Sequence, residues 1–372
     1  MILAKGMGKS GINPLLYVTP NSTYSSLFKF IDPLKNDKLS ELSPSDLQHF
    51  LVLLDEYYLE YRHILGFEND VRVKTSISFE GVDCGELDKV ALNTLGETGW
   101  KTFIDSANDN SSYIEYVDIT SDSWKNIKEF LHHFNGRINS SSYGENGIYV
   151  GRESFEDNIE YWKRFIKFLI TYENIIFRFS NGEFINCRSR ISPRYQIKPF
   201  APTLINLESR YKDLSELHDF LVIINRYIES GTPIRISDLF HSDYSDSSRV
   251  DLIKFLYPNN TLDPVIVQNN INMFVKMMLA ITSDIDFDVV ENRYDKITQG
   301  VDISESSEPF SLSVYNYIDI GQALEFADLV FDNNFDKVYF LRQYFKSFEL
   351  PKNNKNLQRA RRFTEEIDYD NL

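Results

Sequence analysis

Cysteine is nearly absent: Cys84 and Cys187 are the only two in 372 residues. They lie far apart and form no CxxC, so a disulfide framework and a cysteine zinc site are both excluded. A reduced, cytoplasmic setting is the expectation. Histidine is also sparse. His49, His63, His132, His133, His218 and His241 form no HxH or HxxxH pair, so their spacing suggests no metal ligands. No GxSxG elbow is present. Positive charge is short, with 39 Lys and Arg against 55 Asp and Glu, a formal net charge of −16. That balance excludes a protein built to neutralise a nucleic-acid backbone and suits solubility or a basic protein partner. No apolar run approaches the roughly 20 residues of a membrane span. "MILAKGMGKSGINP" carries no signal-like core. Its Gly8-Lys9-Ser10 is no phosphate loop, because Leu3 stands where that motif needs glycine and no strand precedes it.

What is present is core material. Hydrophobic residues make up 42% and aromatics 14%, ample for two lobes or one large domain. Residues 71–81, 111–119 and 146–151 alternate as strands do, and 251–257 reads as a further strand or edge. Helices are expected from Ser43, over 121–134, 154–177, 214–230 and 264–278, with apolar segments at 321–331 and 335–348. The interleaved order, with few βαβ crossovers, implies an α+β fold: helices over a largely antiparallel sheet. In "LYPNNTLDPVIVQNNINMF", Pro258 should end a strand and Asn259 and Asn260 should make the turn. Thr261 or Asp263 should cap the helix, with Pro264 in its first turn. Ile266, Ile271, Phe274, Met277 and Met278 then face inward.

Few residues carry candidate chemistry. Carboxylates on alternate strand positions share a face and can hold Mg²⁺. Glu80 lies at a strand end, where a surface acid is the plainer reading. Glu115 lies mid-strand, either at a watered edge or in a site. Arg178, Arg188, Arg190 and Arg194 cluster within seventeen residues. Four guanidinium forks can grip phosphate or carboxylate, or form a solvated loop.

Five stretches in order resemble the amidoligase family of phages and mobile elements of Gram-positive bacteria, kin to glutamine synthetase and glutamate-cysteine ligase. "TSISFEG" stands where that family has a GxExE-like strand. "GWKTFIDSANDNSSYIEYVDITSDSW" resembles its Trp, Asp, Ser, Glu-Val stretch. "NGIYVGRESFEDNIEYWKRFIKFLITYENIIF" is similar to its GHIHIG strand and following helix. "RFSNGEFINCRSRISPRYQIKPFAP" resembles the segment ending in Tyr-Ala-Lys-Pro, and "LIKFLYPNNTLDPVIVQNNINMF" resembles EFRxPNGTLxPxxxQNNIN. The resemblance implies a glutamine synthetase-like sheet with helical additions. It divides the chain into a leader and helix (1–66), the amidoligase-like domain (67–290), a helical part (291–350) and a charged tail (351–372).

The family's reacting groups are largely replaced. Its two histidines fall on Gly147 and Tyr149, and the Glu and Arg of EFR on Lys254 and Leu256. The acidic pair falls on Ser76 and Ser78, or in a shifted register leaves Glu80 in place. Glu115 is the acid that carries over. Phosphoryl transfer depends on positioning and charge stabilisation, and one such group is commonly worth about 3 kcal/mol of barrier. The resemblance therefore implies a degenerate enzyme that binds a protein partner, such as a host defence or regulatory factor, with no metal or cofactor. One alternative is an active carboxylate-amine ligase using ATP and Mg²⁺, with Glu80 and Glu115 catalytic and the four arginines holding substrate. Another is a structural or virion-associated protein.

Overall fold

A computed structural model describes residues 71–104, 111–116, 119–134, 147–155, 157–180, 199–228, 232–236, 252–258, 260–299, 320–332 and 334–346. The expected helix from Ser43, the leader and the charged tail lie outside the described residues. The elements run β1 (Val73–Glu80), α1 (Cys84–Leu95), β2 (Trp100–Ile104), β3 (Ser111–Tyr116), α2 (Ser121–Phe134) and β4 (Gly147–Gly151). A single 3₁₀ turn, Glu153–Phe155, leads into α3 (Ile159–Ser180), α4 (Ala201–Tyr211) and α5 (Leu217–Arg226). β5 (Ile234–Ile236), β6 (Leu252–Phe255), α6 (Pro264–Thr282), α7 (Phe287–Gln299), α8 (Ile320–Val330) and α9 (Asn334–Lys346) follow.

The strands form one sheet in the order β2-β3-β1-β4-β6-β5, with every pairing antiparallel. The four strands expected from the sequence are thus consecutive neighbours at its centre. The mixed helix and antiparallel sheet agree with the α+β expectation. Strand period sets the faces. Val73, Thr75, Ile77 and Phe79 of β1 share one face with Ile114 and Tyr116, Ile148 and Val150, and Ile253 and Phe255, all buried.

Helices cover that face. Phe79 meets Phe130 and Phe134 of α2 edge-on, and Phe255 stacks on Phe274 of α6 at 4.5 Å between ring centroids. α6 is apolar and long enough to cross a membrane by composition, yet most of it is buried inside the protein. Ile266, Ile271, Phe274, Met277 and Met278 are all inside. α8 and α9, together with Phe331 between them, join the same core through Phe326, Phe340 and Tyr344. Each such large side chain contributes about 1.5–3 kcal/mol on burial.

α6 begins as its sequence demands. Asp263 is the N-cap, its Oδ1 accepting from the Val265 amide at 2.9 Å, and Pro264 opens the first turn. Thr261 supports the cap, its Oγ1 accepting from the Asp263 amide. α1 starts on a similar device: Asp83 accepts from the Glu86 amide at 2.8 Å. α3 begins at Ile159, later than the expected start at 154, because the 3₁₀ turn occupies its approach.

Candidate functional site

The opposite face of the sheet gathers the motif positions. Cross-strand register places Lys101, Glu115, Ser76 and Gly147 in one row across β2, β3, β1 and β4. Two residues along, Lys74, Tyr149, Lys254 and Arg235 form a second row across β1, β4, β6 and β5. A third row holds Ser78 beside Tyr113 and Phe103, whose rings stack at 5.0 Å. Ser76, Ser78, Glu115, Gly147, Tyr149 and Lys254 come from four strands spread over 179 positions of sequence, from 76 to 254, and share this face.

The centre of the face is tightly filled. Ser76 Oγ accepts from the Gly147 amide at 3.2 Å, while Thr75, on the helix-covered face, donates its Oγ1 hydroxyl to the Gly147 carbonyl at 3.1 Å. A Cβ at position 147 would lie 2.8 Å from Lys254 Cε, 2.8 Å from Ser76 Oγ and 3.2 Å from Tyr149 Cε2. Glycine is needed there because the lysine stem and the serine already occupy the space. Lys254 Nζ sits 5.0 Å from the centre of the Tyr149 ring, a cation over a π face. Tyr149 in turn directs its hydroxyl to Glu115 Oε1 at 3.5 Å. Glu115 is thus a half-buried residue of the candidate face. Leu256 is buried and donates its amide to the Pro233 carbonyl.

The Asn-rich turn reaches the end of β1 beside this face. Asn260 lies inside, its Nδ2 donating to the Ser78 carbonyl at 2.6 Å and its Oδ1 accepting from the Ser78 amide at 3.2 Å. β1 pairs with β4 only through Ser76. The amide side chain continues that hydrogen-bonding edge for one more residue, as a strand would. Behind it, the amides of Gln268, Asn269 and Asn270 in α6 form a buried network. Gln268 Oε1 accepts from Trp124 Nε1 at 2.6 Å. Asn269 Nδ2 donates to Gln343 Oε1 and the Tyr339 carbonyl, while Gln343 Nε2 donates to Asn270 Oδ1 and the Phe179 carbonyl. These bonds tie α6 to α2, α3 and α9, so the signature is architectural.

Other sequence-predicted residues fall elsewhere. Arg178 is 1% exposed; its Nε donates to the Tyr344 carbonyl at 3.0 Å and its guanidinium lies over the Tyr344 ring. It fastens α3 to α9. Arg188, Arg190 and Arg194 lie outside the described residues, as does the side chain of Glu80. Among the described residues no three His, Cys, Asp or Glu side chains converge as a metal site.

Sequence reading missed three cations of the face and one buried carboxylate. Lys74 and Lys101 stand at the same strand parity as Ser76 and Phe103, a signal present in the sequence. Arg235 stands on a three-residue strand too short to show a period. Glu173 is buried within α3 and accepts from the Phe200 and Ala201 amides at 2.7 and 2.8 Å and from the Tyr257 hydroxyl at 3.0 Å. It caps α4 from another helix and binds the end of β6 to both. Burial raises the Tyr257 phenol well above its ordinary pKa, and the Glu173 carboxylate raises it further.

Comparison with known proteins gives no match to a family model, a curated protein or a solved structure.

Proposed function

We propose that this chain is a catalytically degenerate amidoligase-like protein that acts by binding a protein partner. The observation that carries the reading is the filling of the sheet face around Gly147. There a lysine stem and a serine hydroxyl occupy the ground where the resembled family has imidazole and carboxylate. Supporting it, the motif positions inferred from separate stretches are cross-strand neighbours on one face.

The residues present do not fit Mg·ATP. Mg²⁺ takes hard oxygen ligands, chiefly carboxylates and phosphates. By register the face carries two acids, Glu115 on β3 and Glu80 at the end of β1, against the cations Lys74, Lys101, Lys254 and Arg235. An ammonium set over Tyr149 repels a second cation.

The local charge also bears on the partner. Net charge alone favours a basic partner. A partner docking on this face instead brings acidic side chains, because the face carries four cations in a chain of net charge −16. Exposed Lys101 and Arg235 are the outer contacts of that reading.

The test is co-purification from the native host with mass spectrometry, comparing wild type with Lys101→Glu and Arg235→Glu. The expected result is a specific captured protein whose recovery drops in both charge reversals while the fold is kept. Equal recovery with all three proteins would remove the sheet face from the interaction. Carboxylate-dependent ATP turnover by the wild type would restore the ligase alternative.

A further inference from the structure

Among the described residues, the two large hydrophobic side chains that stand exposed lie at one edge of the sheet. Ile104 ends β2 and is 68% exposed; Leu92, on α1, is 52% exposed. β2 is the first strand of the sheet order, and among the described residues it pairs with β3 alone. A row of backbone N–H and C=O groups runs along such an edge and can template another strand. Edges are commonly guarded by proline, a bulge or repeated charge. β2 has one lysine in Trp100–Ile104, no proline, and an unbroken register against β3.

The helix above turns an apolar side chain to the same boundary. α1 buries Leu87 and Ala91. Asp88 accepts a hydrogen bond from Thr102 Oγ1 of β2, which marks the side of α1 that faces this strand. Leu92 follows Asp88 by four residues and so stands on that side too. By strand parity Trp100, Thr102 and Ile104 share the helix-covered face of the sheet, and Lys101 and Phe103 the open face.

The sequence of β2 is complementary to itself. Set antiparallel about Thr102, a second copy brings its Ile104 opposite Trp100, its Phe103 opposite Lys101 and its Thr102 opposite Thr102. Aromatic with β-branched, cation with ring and threonine with threonine are favourable cross-strand pairs, and no like charges stand opposed. One two-fold axis closes the arrangement, with both copies of α1 on the same side. We propose that two copies of this chain join through β2 in an antiparallel pair centred on Thr102. Two six-stranded sheets then become one continuous sheet, with Leu92 and Ile104 at the seam. The proposal does not rest on the partner-binding role of the open face, although it sets the two copies of that face side by side.

The experiment is sedimentation equilibrium of the full chain from low to high micromolar concentration. Variants are Ile104→Glu, Leu92→Glu and the control Asn292→Glu, which makes the same charge change at an exposed position of α7. Reversible dimerisation of the wild type is expected. Ile104→Glu should weaken it by about a hundredfold, about tenfold for each of two copies. Leu92→Glu should act in the same direction, and Asn292→Glu should match wild type. Register is read by oxidising Thr102→Cys and Ile104→Cys, each in a Cys84→Ser, Cys187→Ser background. Opposed residues of antiparallel strands have Cα atoms about 4.5–5.5 Å apart, within disulfide reach. The two copies of residue 104 lie at opposite ends of the pair, beyond that reach. Thr102→Cys should therefore cross-link, and the more exposed Ile104→Cys should not. A wild type that stays monomeric at every concentration would overturn the proposal. So would a dimer untouched by both Ile104→Glu and Leu92→Glu, a dimer weakened equally by Asn292→Glu, or cross-linking that favours Ile104→Cys.

Discussion

Replacing Asn260 by Ala isolates the link between the Asn-rich turn and the candidate face. The side chain makes two hydrogen bonds to one residue's backbone, at 2.6 and 3.2 Å to Ser78. Removing it strips the Ser78 amide and carbonyl of those bonds in a place where both residues are buried. A buried polar group left unsatisfied costs about 1–3 kcal/mol, so two such groups set a ceiling near 6 kcal/mol. Water entering the vacated space regains part of this, and about 3 kcal/mol is the expected loss. Asp263→Ala is the internal standard, because its single capping bond at 2.9 Å is worth about 1 kcal/mol. Both are read by denaturant unfolding followed through the buried Trp124 and Trp162. If Asn260→Ala is no more destabilising than Asp263→Ala, the strand-like role of the turn is refuted.

Three further outcomes follow from the same packing. Glu173→Gln should destabilise by about 2 kcal/mol, because an amide nitrogen replaces one of two carboxylate oxygens that accept buried bonds; denaturant midpoints check it. Gly147→Ala should cost about 1–3 kcal/mol by overpacking, and less in a Lys254→Ala background, since Lys254 Cε is one of the two nearest atoms; additive losses in that double-mutant cycle would refute the contact. Burial raises the phenols of Tyr116, Tyr172, Tyr211, Tyr257 and Tyr294 above their ordinary value of 10. Their folded pKa exceeds the unfolded one, so their stabilisation is complete below pH 10 and is lost as pH rises beyond it. Absorbance titration should show these phenols ionising together with unfolding, not before it.

Central features of the fold were legible because their signals are local. β1, β3 and β4 alternate, and the Asp263-Pro264 start of α6 is a cap followed by a residue suited to the first turn. α1 and β2 were not among the expected elements, although the Asp83 cap with Glu86 three residues on is a local signal for α1. α4 carries only part of that signal: Pro202 stands in its first turn, but its N-cap, Phe200, makes no side-chain cap bond and the capping carboxylate comes from Glu173, 28 residues before Ala201. The burial of Gln268, Asn269 and Asn270 was equally hidden, since their partners Trp124 and Gln343 come from distant elements. At the site, alternation gave the face but not its charge. Net charge pointed to an acidic protein, and only the register of β2, β5 and β6 beside β1 and β4 brings four cations together.

The proposal that the chain does not act as a ligase is tested most directly by calorimetric titration of the full chain with ATP, with and without Mg²⁺, in wild type and Glu115→Gln. No Mg²⁺-dependent saturable binding is expected in either protein, because the four cations of the face oppose a metal ion. Tight Mg²⁺-dependent binding by wild type that Glu115→Gln abolishes would contradict that expectation and mark the sheet face as a working nucleotide site.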